Sequence, residues 1–131
     1  MLLQSVLENS ARRTPQKIAL VCRGERLSYG EIDRKANQVA AFLRSQGIRR
    51  GDRVALFLDN SIEAVISLFG ILKADAVFLM LSHQLKAPKL AYILENSGAR
   101  ALVSDAAKLR AVSEVIHAAR VLEAVIIAGD E

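Results

Sequence analysis

From Arg53 onward, short apolar runs alternate with longer stretches of helical periodicity, and the links between them are brief. No other feature of the chain restricts its fold so strongly. Arg53-Val54-Ala55-Leu56-Phe57-Leu58 reads as a strand. Asn60 or Ser61 caps a helix running to about Ala74, which carries Ile62, Val65, Ile66, Leu68, Phe69, Ile71 and Leu72. It is apolar nearly all round, so deep burial is expected. Ala76 to Leu81 is a strand of unbroken apolar character, as parallel strands covered on both faces are. Pro88 can open the next helix, and Gly98 can end it. Ala101-Leu102-Val103 is a strand. Residues 106 to 119 form a helix with Leu109, Val112, Ile116 and Ala119 inward, and Val121 to Ala128 is a last strand. Strand and helix in alternation imply an α/β fold: a mostly parallel sheet with right-handed crossovers and helices on both faces.

The first part of the chain is different. Residues 2 to about 13 show helical spacing, with Leu3, Leu7 and Ala11 on one stripe and Val6 beside them. Thr14-Pro15 ends that helix, because the residue before proline is pushed out of helical geometry. Ile18 to Cys22 and Arg26 to Ser28 flank the turn Arg23-Gly24-Glu25 and suggest a small β-hairpin. Ser28 and Glu31 form a capping box, in which each side chain satisfies a backbone N–H of the other end. The helix that follows places Ile32, Ala36, Val39 and Leu43 on one stripe, and Gly47 closes it.

At 131 residues the chain fits one domain, residues 1–131, with no linker dividing it. Mean hydropathy is +0.24, high for such a domain. A thoroughly buried sheet explains that, or a face meant to be covered by something else. The net charge of +4 is scattered. Arg49, Arg50 and Arg53 are its densest spot and read as a solvated turn. Trp is absent and Tyr occurs twice, so stacking platforms for nucleic acid are missing and no nucleic-acid partner is expected. The single cysteine, Cys22, excludes an internal disulfide and reads as a small buried hydrophobe. No apolar run is long enough for a membrane span, and the Met1 end lacks the pattern of a secretory signal. A cytoplasmic location is the default expectation.

Open α/β sheets bind ligands at the carboxyl ends of their strands. The polar residues there are Asp59, Asn60 and Ser61, then Ser82, His83 and Gln84, then Ser104 and Asp105. Asn60, Ser61, Ser104 and Asp105 serve equally well as helix caps. His83 follows a strand and can face a cleft, whereas His117 borders an apolar helix stripe. The seven glycines, at 24, 30, 47, 51, 70, 98 and 129, form no phosphate-cradling loop. Neither C-x-x-C nor H-E-x-x-H is present, so a zinc site has no ligand set. No G-x-S-x-G elbow occurs. No catalytic, cofactor-binding or metal-binding residue is assigned, and the substrate-binding residues stay open.

Six stretches in order resemble the opening of the adenylate-forming, AMP-binding superfamily. Pro15-Gln16-Lys17-Ile18-Ala19-Leu20 is similar to its P-x-x-x-A-L phrase. Leu27-Ser28-Tyr29-Gly30-Glu31-Ile32 is similar to its first core motif, and Leu72-Lys73-Ala74-Asp75-Ala76-Val77-Phe78 to its second. Between them, Ala40 to Ala55 resembles A-x-x-L-x-x-x-G-[VI]-x-x-G-D-x-V-[AG], and Asn60-Ser61-Ile62-Glu63 resembles N-S-x-E. Leu90 to Ala99 resembles L-x-Y-I-L-x-x-S-x-A. Each motif is weak alone; their ordered series is specific. There are two departures. Asp75 stands where the family has glycine, a position expected to need a left-handed backbone. Leu79-Met80-Leu81-Ser82-His83 stands where the family reads V-P-L-N-P, with both prolines gone.

The resemblance is strongest to AMP-forming acyl-CoA synthetases and to the adenylation domains of peptide synthetases. It implies the N-terminal subdomain of an enzyme that activates a carboxylate with ATP and passes the acyl group to a thiol. ATP, Mg²⁺ and CoA are implied for the complete enzyme, and none for these residues alone. The family grips the ATP phosphates with a Ser/Thr/Gly-rich loop ending in P-K-G, which these residues do not contain. The chain is therefore expected to be catalytically incomplete alone. Its expected partner is the remainder of such an enzyme, or a second copy through an uncovered apolar face. Two other readings stand beside this one: a stand-alone scaffold or interaction module derived from the family, and a flavodoxin-like small-ligand-binding domain.

Overall fold

The computed structural model describes residues 3–113, 122 and 124–127. Helix α1 (Leu3–Arg13) leads into a hairpin of β1 (Ile18–Cys22) and β2 (Glu25–Ser28). Arg23 and Gly24 at its tip have φ of 51° and 85°, as a two-residue turn of type I′ requires. Helix α2 (Tyr29–Ser45) follows, then β3 (Arg53–Phe57), α3 (Ile62–Lys73), β4 (Val77–Met80), α4 (Ala87–Ser97), β5 (Ala101–Ser104), α5 (Ala106–Ala111) and β6 (Ala124–Ile127).

The second sheet is wholly parallel, in the order β4-β3-β5-β6. Its two faces carry separate cores. On one, Val54 and Leu56 of β3 and Ala101 and Val103 of β5 meet Ala40 and Leu43 of α2 and Ile71 of α3. On the other, Ala55, Phe57 and Leu102 meet Leu90 and Leu94 of α4. Successive strand residues point to opposite faces, so a strand buried on both is apolar throughout. The expected α/β fold with helices on both faces and an N-terminal hairpin is what forms. A third cluster, Leu7, Leu27, Ile32 and Ile62, joins α1 and the hairpin to α2 and α3.

The caps follow the sequence. Ser28 Oγ accepts from Glu31 N at 3.2 Å, and Glu31 Oε1 accepts from Ser28 N at 3.1 Å. Of Asn60 and Ser61, it is Ser61 that caps α3, accepting from Ala64 N. Pro88 sits in the first turn of α4, and Gly98 closes it with φ of 67°. Asp75 has φ of 61°, the left-handed conformation its glycine-like position requires.

Four expectations need correction. Helix α3 is not deeply buried: Val65, Ile66, Leu68, Phe69 and Leu72 are all half-buried, because one helix layer covers only part of its circumference. The strand after it is shorter than expected and lies at the sheet edge, with Val77 48% and Met80 58% exposed. An apolar run shows that a strand can be buried on both faces, and says nothing of whether a neighbour covers its side. In α1 only Leu7 of the apolar stripe is buried, while Leu3 and Val6 are exposed. Cys22 is half-buried, being at the end of an open two-stranded hairpin. The C-terminal half of the helix expected over 106–119, with Ile116, His117 and Ala119, lies outside the described residues, as do the two ends of the strand expected over 121–128.

Candidate functional site

The carboxyl ends of β3, β4 and β5 bring three charged or ionisable side chains together. Asp59 follows β3, His83 follows β4, and Lys108 lies in the first turn of α5, after β5. Lys108 Nζ is 2.9 Å from Asp59 Oδ1, and His83 Nδ1 is 3.2 Å from the same oxygen. The Lys108 ammonium also stands over the Phe57 ring, 6.0 Å from its centre. The hydrogen bond from Lys108 holds the Asp59 carboxyl below its ordinary value, against a smaller opposing effect of burial. Asp59 and His83 are both about half exposed, so their pairing is a surface contact of small energy.

The other strand-end residues are structural. Ser104 is fully buried, and its hydroxyl donates to Phe57 O at 2.6 Å, tying β5 to β3. Asp105 caps α5 by accepting from Lys108 N at 2.8 Å. Ser61 donates to Asp59 O while it caps α3. Ser82 accepts from Gln84 N and shapes the loop after β4. Asn60 and Gln84 are exposed. Sequence reasoning singled out Asp59 and His83 and missed Lys108; its place in the first turn after a strand, three residues past a capping Asp, was the available signal.

A second polar cluster lies on the far side of the helical layer. Lys73 is the lysine of the second core motif, and its side chain is almost wholly buried. Its ammonium is 2.7 Å from Asp33 Oδ1 of α2 and 2.9 Å from Glu8 Oε2 of α1. Burial works against the charge on Lys73, but its contacts with Asp33 and Glu8 outweigh that and raise its pKa above the ordinary value. Arg44 of α2 donates to the Lys73 carbonyl, and Gln4 Nε2 donates to Leu72 O at 3.1 Å. Three helices are thus tied at the end of α3. An open depression of about 320 Å³, lined by Glu8, Arg12, Asp33, Asn37 and Lys73, surrounds the cluster.

At the strand ends the Ser104 hydroxyl and the Lys108 backbone N–H are engaged within the fold, and a carboxylate occupies the centre of the cationic group. Among the described residues no three His, Cys, Asp or Glu side chains converge on a point that would hold a metal. Nor, among them, is any helix long and apolar enough to cross a membrane.

The motif residues therefore sit at the caps and helix ties of a parallel α/β scaffold, and the sequence as a whole matches the family described as AMP-binding enzyme over residues 7–131. The chain belongs to that family. It is 39% identical over 108 residues to bacitracin synthase 1 of Bacillus licheniformis, a match covering 82% of this chain and 2% of that protein. It is 30% identical over 128 residues to a medium/long-chain-fatty-acid–CoA/3-oxocholest-4-en-26-oate–CoA ligase of Mycolicibacterium smegmatis, covering 98% of this chain and 23% of that one. Its fold matches the anthranilate CoA ligase AuaEII, solved in complex with anthranoyl-AMP, with a TM-score of 0.91 and 29% identity over 96% of this chain and 24% of the other. The chain thus spans about a quarter or less of each of these three proteins.

Proposed function

We propose that this chain is the N-terminal scaffold portion of an AMP-forming acyl-CoA synthetase or related ligase, and that alone it does not activate carboxylates. In the complete reaction a carboxylate oxygen attacks the α-phosphorus of ATP and pyrophosphate leaves. A thiol sulfur then attacks the acyl carbonyl, and AMP leaves. Such chemistry depends on donors that stabilise charge at the phosphorus. The observation that carries the reading is the setting of Lys73: the lysine of the second core motif is engaged by carboxylates of α1 and α2, its side chain almost wholly buried. The motif that marks the family thus does structural duty here.

The similarity to fatty-acyl and aryl ligases over nearly the whole chain supports a carboxylic acid as the substrate of the complete enzyme. ATP, Mg²⁺ and CoA belong to that enzyme in this reading, as does a cytoplasmic setting. The remaining subdomains are its partner. A stand-alone module derived from the family is the other reading.

Purified chain, incubated with ATP, labelled pyrophosphate and a panel of fatty, aromatic and amino acids, is expected to show no pyrophosphate exchange above background. Robust exchange would overturn the proposal. Placed in a fatty-acyl-CoA ligase in exchange for its matching segment, the chain is expected to give a folded protein that retains exchange. A folded but inert chimera would argue for the stand-alone module instead.

A further inference from the structure

We draw no further inference here: the strongest candidate, the apolar cleft of about 160 Å³ that Val6, Leu7, Leu20, Tyr29, Ile32 and Phe69 line between α1, the hairpin, α2 and α3, carries nothing, because nothing among the described residues shows what fills or covers it.

Discussion

Lys73 Nζ of α3 lies 2.7 Å from Asp33 Oδ1 of α2, a carboxylate oxygen that is buried and has no aligned hydrogen bond. The ammonium is what compensates that oxygen. Replacing Lys73 by Met keeps the apolar stem and removes the charge. We expect Lys73→Met to destabilise the chain by about 2 kcal/mol, below the range for a fully buried pair because Asp33 and Glu8 are partly open to water. Lys73→Met combined with Asp33→Asn is expected to recover part of the loss, since the uncompensated charge is gone. Urea unfolding of both variants measures this; equal losses would show that the pair carries no coupling.

The same lysine sets a pH limit. Its folded-state pKa is raised above the ordinary 10.5. Its contribution is therefore fully present below 10.5 and is lost as pH rises through the higher folded value. The melting temperature of wild type minus that of Lys73→Met is expected to hold constant from neutral pH to that limit and then shrink. A difference that falls already near neutral pH would contradict the assignment.

At the acid end Asp59 acts in the opposite sense. Its carboxyl is held below the ordinary 3.8 by Lys108. The stability it gives is present above 3.8 and is lost as pH falls through the lower folded value. In a carboxyl titration followed by NMR, Lys108→Ala is expected to return Asp59 toward 3.8, and an unmoved midpoint would dismiss the contact.

Gly70 of α3 lies close against Val39 and Ala36 of α2. A Cβ there would stand 2.5 Å from Val39 Cβ. An alanine in a helix interior is otherwise worth about 1 kcal/mol over glycine. Gly70→Ala is nevertheless expected to cost about 2 kcal/mol, because overpacking outweighs propensity. Gly70→Ala combined with Val39→Ala is expected to restore most of it. A stabilised single variant would show that the helices can separate without penalty.

Asp75 holds φ of 61° and is exposed. Glycine adopts that conformation without a side-chain penalty but loses more freedom on folding. Asp75→Gly is expected to stabilise by about 0.5 kcal/mol and Asp75→Val to destabilise by about 1 kcal/mol, read from urea midpoints. A Val variant as stable as wild type would rule out the strain.

The sequence by itself determined the alternation of elements, the caps at Ser28 and Asp105 and one at Asn60 or Ser61, the left-handed turn at Asp75 and the family. Those are local: each depends on backbone geometry or side-chain period within a few residues, which the letters record directly. Only the tertiary structure decided that β4 is an edge among the described residues, that α3 is half-covered, and that Lys73 is held between two carboxylates. It alone brought Lys108 to Asp59, residues 49 positions apart. Neighbourhood across a sheet or between helices depends on strand order and helix packing, and apolar character fits a covered strand and an uncovered one alike. The two core motifs were legible as markers for the first reason. Their role as ties within the scaffold was not, for the second.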